Sequence, residues 1–228
     1  MNAQDLKRLI RDVPDFPKPG ILFRDVTPLL LEPEGIRAAV DALAAPFRGA
    51  GVQRVLGIES RGFIFGAPVA LALGAGFALV RKAGKLPYEK FSASYALEYG
   101  EDRVEMHVDA VGPGQRVLIV DDVIATGGTA AAAVKLARMA GGEVVGASFL
   151  IELAALGGAS ALDVPLHAVL RYCPLVLCAS SLSPGCAMPK VPECSAPDSP
   201  SPRSPACSRS RSRTPRSAPA AAARPAAR

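Results

Sequence analysis

Apolar and polar positions along the first 172 residues alternate between two periods. Asp5 to Val13 carries apolar residues at helical spacing and predicts a short amphipathic helix. Pro14, Pro17 and Pro19-Gly20 then impose an extended, looping path. A second helix is expected from Glu34 to about Arg48, with Pro33 just before it and Gly49 and Gly51 ending it. Arg54–Ile58 is a short apolar run of the buried-strand kind. Gly62 to Val80 is free of charge and long enough to suggest a membrane span. However, Gly66, Pro68, Gly74 and Gly76 punctuate it, so it reads as a buried helix stopped at Gly74-Ala75-Gly76, then a strand at Phe77–Val80.

A polar, Lys-rich loop follows from Arg81 to Phe91. Ser94–Leu97 and Val104–Val108 alternate like two hairpin arms turning at Tyr99-Gly100-Glu101-Asp102. Gly112-Pro113-Gly114 is a turn and Arg116–Val120 a buried strand. Thr129 to Met139 is an Ala-rich helix stopped by Gly141-Gly142, and Val144–Ile151 and His167–Leu170 supply further strands. Strands alternating with helices of this length predict an α/β fold, a parallel sheet flanked by helices on both faces.

Composition splits the chain in two. Of 228 residues, 26 are Lys or Arg and 21 Asp or Glu, a net charge of +5. Residues 173–228 hold eight of the basic residues and two of the acidic ones, which leaves 18 and 19 in the first 172. All five cysteines and eleven of the 21 prolines also fall in 173–228. The basic character therefore belongs to a Pro/Ser/Arg/Ala-rich tail, which argues against nucleic acid as the partner of the globular part. The tail is expected to be disordered. It reads either as a read-through or frame-shifted extension or, through Ser208–Arg213, as an RNA-binding arm. The start of the chain lacks the apolar core of a signal peptide. A cysteine-free globular part fits a reducing cytosol, and a cytoplasmic location is expected.

The most informative segment is Val117-Leu118-Ile119-Val120-Asp121-Asp122-Val123-Ile124-Ala125-Thr126-Gly127-Gly128-Thr129: buried strand, two acids, glycine-rich turn, helix. Gly127-Gly128 would let the backbone approach a ligand, and the unpaired N–H groups opening the helix would hold a phosphate. The chain contains neither a nucleotide P-loop nor a dinucleotide fingerprint. Two carboxylates would repel a polyphosphate chain, yet they suit the vicinal hydroxyls of a ribose whose 5′-phosphate sits in the loop.

This segment resembles the phosphoribosyl pyrophosphate signature of the type I phosphoribosyltransferases. The resemblance implies that fold, with a small hood, and assigns Asp121 and Asp122 to the ribose hydroxyls and Ala125, Thr126, Gly127, Gly128 and Thr129 to the 5′-phosphate. Gly57–Gly62, at the end of a buried strand, offers Ser60 and Arg61 for pyrophosphate, with Arg81, Lys82 and Lys85 beyond the next strand.

Four segments look like the adenine-specific branch: Phe16–Pro28, Glu59–Phe63, Arg81–Pro87 and Ser92–Gly100. That resemblance implies purine salvage, in which adenine and phosphoribosyl pyrophosphate give AMP and pyrophosphate. It also implies that backbone groups of Leu22 and Arg24 read the adenine edge while Phe23 packs on the ring. Glu98 becomes the general acid/base at purine N7, and Tyr99 with the 81–91 loop forms a hood that excludes water. A strained non-proline peptide near Glu59-Ser60, a homodimer in which Arg81 reaches the neighbouring site, and Mg²⁺ held mainly by substrate and water with no dedicated protein ligand complete the implication. The alternatives are a transferase for another base, or a regulator that binds phosphoribosyl pyrophosphate without chemistry. His107 and His167 are assigned no role.

Overall fold

The computed structural model describes residues 1–97 and 100–173. The chain opens with α1 (Ala3–Arg8), closed by a capping box in which Asn2 and Asp5 exchange side-chain and backbone hydrogen bonds. The helix expected over Asp5–Val13 starts earlier and stops at Arg8. Arg11–Pro14 is instead strand β1, paired antiparallel with β2 (Leu22–Asp25) as a separate two-stranded ribbon. The apolar spacing was equally compatible with a helix-to-strand change, and the cross-strand partner lies too far along the chain for a local pattern to reveal it.

A short helix not expected from the sequence, α2 (Thr27–Leu31), leads into α3 (Pro33–Ala44), whose last expected turn is a 3-10 turn at Ala45–Phe47. Strand β3 (Arg54–Ile58) falls on the predicted run. Helix α4 (Arg61–Leu73) ends at Gly74, whose φ of 65° is the left-handed conformation that glycine adopts without steric penalty. Strand β4 (Gly76–Lys82) takes in Arg81 and Lys82, which the sequence placed in a loop. The hairpin strands β5 (Lys90–Leu97) and β6 (Gly100–His107) pair down to Leu97 opposite Gly100, so Gly100, Glu101 and Asp102, expected in the turn, are strand residues. Strand β7 (Arg116–Ile124), helix α5 (Gly128–Met139), β8 (Glu143–Leu153) and β9 (Leu166–Tyr172) complete the fold.

The main sheet has seven strands in the order β5-β6-β4-β3-β7-β8-β9. The pairs β4–β3, β3–β7, β7–β8 and β8–β9 are parallel, while β6 joins β4 and β5 antiparallel. The sheet is therefore mixed: a parallel core of five strands extended at one edge by the hairpin. Leu118 and Val120 of β7 enter one buried cluster with Val55, Phe65 and Val69, and Val117 and Ile119 enter a second with Leu56, Ala133 and Leu136. Alternating side chains thus fill a core on each face, one roofed by α3 and α4 and the other by α5.

Chain direction places the crevice. From β3 the chain crosses by α4 to β4 on one side, and from β7 it crosses by α5 to β8 on the other. The point where the order reverses lies between β3 and β7, where α/β sheets open a binding crevice outside the carboxyl ends of their strands.

One close contact shows how tightly α4 is seated. The Phe77 ring lies where a Cβ on Gly57 of β3 or on Gly66 of α4 would stand, 2.7 Å from the ring in each case. Gly66→Ala should therefore destabilise the fold by about 1–3 kcal/mol through overpacking, read as a lower urea midpoint at unchanged slope.

Candidate active site at the β3–β7 crevice

The β3–β7 ladder runs only from Arg54–Val117 to Gly57–Val120. Beyond it β7 continues, held on its other side by β8 through Asp121–Phe149, Val123–Ile151 and Ile124–Glu152. Asp121 and Asp122 are thus strand residues, not the start of a loop, and they face a gap that β3 no longer fills. A cavity of roughly 510 Å³ opens there, lined in part by Ser60, Arg61, Lys82, Tyr95, Asp121, Asp122 and Thr129.

Asp122 is 3% exposed, and Arg61 Nε lies 2.7 Å from its Oδ2. That approach is a charge contact without hydrogen-bond alignment, and Oδ2 has no aligned donor among the described residues. The Asp122 N–H donates to Asp121 Oδ1 at 2.8 Å. Burial raises both carboxyls above the ordinary carboxylate range; at Asp121 the neighbouring Asp122 charge adds to it, and Arg61 opposes it at both. Gly62 explains how α4 comes so near: a Cβ there would stand 2.8 Å from Asp121 Oδ1 and 2.9 Å from the Val120 carbonyl oxygen.

The glycine-rich turn has two independent reasons for its sequence. Gly127 has φ 82°, and its Cβ would meet the Gly158 carbonyl oxygen at 2.5 Å. A Cβ on Gly158 would in turn collide with the Ala125 carbonyl oxygen. Ala125–Gly127 is therefore buttressed by the 3-10 turn at Gly158–Ala161. No side chain caps α5, and its first intrahelical bond is Ala131 N to Gly127 O. The N–H groups of Gly128, Thr129 and Ala130 have no carbonyl within the helix, which is the arrangement that holds an anion.

On the opposite wall the Glu59–Ser60 peptide is cis, at the place where the resemblance implied an unusual peptide. Glu59 collects the basic residues around it. It accepts from Arg81 Nε at 3.3 Å, Arg81 Nη2 at 3.4 Å, the Lys82 N–H at 3.0 Å and the Lys85 ammonium. Burial works against its charge, but the bonds from Lys85, Arg81 and the Lys82 N–H prevail and hold it at about 2.

Of the residues assigned to pyrophosphate, Ser60, Arg61 and Lys82 line the cavity. Arg81 and Lys85 do not: their charges are engaged by Glu59, and Arg81 Nη1 also donates to the Lys85 carbonyl at 3.2 Å. Lys82 Nζ is loosely paired, 3.5 Å from Asp102 Oδ2, which also accepts the Tyr95 hydroxyl at 2.9 Å. Tyr95 and Thr129 line the same cavity, so the hairpin and the start of α5 face each other across it.

Ala125, Thr126, Gly127 and Gly128 form the turn beside the cavity. Leu22, Phe23 and Arg24 lie on the separate ribbon, joined to the site where the Arg61 guanidinium sits 5.3 Å from the Phe23 ring centroid. Glu98 and Tyr99 lie outside the described residues.

Sequence reasoning missed the work of Glu59 and Tyr95. Glu59 carried a signal, a carboxylate ending a buried strand with a basic run further along the chain. Tyr95 shares the alternation phase of buried Ala93, and a phenol on a covered face needs a partner for its hydroxyl.

The lowered Glu59 value fixes a sign. A carboxyl whose folded value lies below its ordinary 4.5 adds stability that is complete above that value and lost as pH falls toward about 2. Thermal melts between these limits should show less acid destabilisation in Glu59→Gln than in the parent.

Three comparisons bear on this geometry. A family model described as a phosphoribosyl transferase domain matches residues 33–164. The adenine phosphoribosyltransferase of a Bradyrhizobium species is 57% identical over 171 residues, covering 74% of this chain and 96% of that protein. The crystal structure of the Rhodothermus marinus adenine phosphoribosyltransferase superposes with a TM-score of 0.72 at 57% identity, over 75% of this chain and 98% of that one. The Saccharomyces cerevisiae enzyme, solved with an imino-altritol bisphosphate and adenine, gives 0.71 at 44% identity, over 74% and 98%. With 57% identity over nearly the whole length of an adenine phosphoribosyltransferase, the chain belongs to the adenine phosphoribosyltransferase family.

Proposed function

We propose that this chain transfers the phosphoribosyl group of 5-phosphoribosyl 1-pyrophosphate to adenine, releasing AMP and pyrophosphate, in purine salvage. The observation that carries the reading is the pairing of two adjacent acids, Asp122 buried and Asp121 half-buried, with an uncapped helix start at one crevice. One recognises vicinal hydroxyls and the other a terminal phosphate, and a phosphorylated ribose presents both.

In the reaction the bond from ribose C1 to pyrophosphate breaks while purine N9 forms its bond to the same carbon. Arg61 and Lys82 are placed to hold the leaving group, and the backbone N–H groups of Gly128–Ala130 anchor the 5′-phosphate so that C1 is held between leaving group and base. Glu98 is assigned the proton at purine N7. The proton it returns or removes there tunes N9 between nucleophile and leaving group. Arg81 and Lys85 join the pyrophosphate subsite by exchanging Glu59 for phosphate oxygens, which requires the 83–89 loop to move.

The donor set fits a hard divalent cation only through the substrate. Among the described residues no three His, Cys, Asp or Glu converge on one point, while Asp121 and Asp122 orient the ribose oxygens that would share the ion with pyrophosphate. Bound there, Mg²⁺ would neutralise part of the pyrophosphate charge.

A homodimer is part of the proposal. Ile64 and Leu71, 44% and 82% exposed, stand with Pro68 on one side of α4, an apolar stripe that a second copy would cover. No helix among the described residues is long and apolar enough to cross a membrane. We place the enzyme in the cytoplasm.

Residues 174–228 lie outside the described residues, and we assign catalysis to 1–172. Truncation after Tyr172 should leave turnover with adenine unchanged. The purified protein should turn over adenine in preference to hypoxanthine, guanine, xanthine and orotate; turnover confined to another base would overturn the assignment. Glu98→Gln should lower kcat by about 10²–10⁴-fold, and turnover equal to the parent would remove Glu98 from the mechanism.

A further inference from the structure

The β1–β2 ribbon is no part of the seven-stranded sheet, so its strands gain nothing from the main ladder. Its consecutive residues Phe23 and Arg24 project to opposite sides of β2. On one side the Phe23 ring receives the Arg61 guanidinium from the crevice. On the other, the Arg24 guanidinium lies 4.1 Å from the centroid of the Tyr172 ring, and the Lys7 ammonium stands 4.9 Å from the same centroid. Tyr172 closes β9 and packs against the core cluster that includes Leu170. Arg24 is also paired with the Asp12 carboxylate, its register partner across the ribbon. The guanidinium is thus shared between its own ribbon and the body of the enzyme.

We propose that Tyr172 is a positioning residue for the base subsite, setting through Arg24 where β2 presents its backbone. The inference rests on the adenine reading above, in which backbone groups of Leu22 and Arg24 meet the base edge. Backbone recognition cannot be sharpened by changing the recognising group, because every residue carries the same one. It can be sharpened only by fixing where that group stands, and hydrogen bonds weaken steeply with misalignment. A planar cation stacked on a ring that belongs to the sheet supplies such a fix. The phosphoribosyl side of the crevice is built from β3, α4, β7 and α5, and meets the ribbon where Arg61 lies by Phe23, on the side of β2 away from Arg24.

The test uses the full chain. With each substrate varied in turn, Tyr172→Leu should raise KM for adenine by about 5- to 30-fold, the span a cation–ring contact of this kind carries, and leave KM for phosphoribosyl pyrophosphate and kcat unchanged. Tyr172→Phe, which keeps the ring, should behave as the parent. Arg24→Met should reproduce the split from the other partner, and the double variant with Tyr172→Leu should be no worse than either single one. Without substrate, amide exchange at residues 22–25 should quicken in Tyr172→Leu. An unchanged adenine KM, a parallel rise in both KM values or failure of Phe to rescue would overturn the proposal. Absence of adenine turnover in the parent sinks the functional reading instead. Amide exchange then still decides whether Tyr172 holds the ribbon, and unchanged exchange would refute that too.

Discussion

Two adjacent carboxylates held at the mouth of a sheet, with one guanidinium set against them, are the constraint around which this protein is arranged. Carboxylates on consecutive residues repel each other, and burial penalises both charges, so the site stores an unmet demand for hydrogen-bond donors and positive charge. Strand β8 makes the arrangement possible by pairing with β7 beyond the point where β3 stops. The acids therefore keep strand geometry on one side and face open space on the other. Gly62 follows from the same demand, because a side chain there would displace the acid it adjoins. In the proposed reaction, the two neighbouring hydroxyls of the ribose meet that demand.

The cations are handled by a different device. Residues 1–172 have 18 basic and 19 acidic residues, so this part of the chain has no excess of positive charge with which to draw an anionic substrate. Attraction has to be local. Glu59 gathers Arg81, Lys85 and the Lys82 backbone beside the crevice, and Asp102 keeps a looser hold on the Lys82 ammonium. These pairings hold the basic residues beside the crevice. In the proposed reaction they set a threshold: pyrophosphate must offer Arg81 and Lys85 more than a single carboxylate does.

Much of this was legible in the chain because it is local. The β7–turn–α5 segment announces itself within thirteen residues, as strand hydrophobicity, adjacent acids and paired glycines, and β3 and α5 lie close to where periodicity put them. What escaped depends on partners distant in sequence. Arg11–Pro14 became a strand because Leu22–Asp25 lies opposite, and the acids became strand residues because β8 holds them. The hairpin edge turned an expected parallel sheet into a mixed one, since strand direction is set by connection and not by composition. The pairing of Arg81 and Lys85 with Glu59 stayed hidden because a sequence shows charge without showing who neutralises it.

The glycines of the turn before α5 are likewise fixed by a distant partner. Gly127 is needed twice, for a positive φ and for its fit against the Gly158 carbonyl, and Gly158 is needed because Ala125 lies behind it. The anion-binding turn is therefore not a free loop that happens to be glycine-rich. It is one half of a packed pair, whose other half arrives thirty residues later, after β8. A turn held in this way presents its N–H groups without waiting for a ligand to order them, and in the proposed reaction that preorganisation leaves the binding energy of the 5′-phosphate for holding ribose C1 where the chemistry occurs.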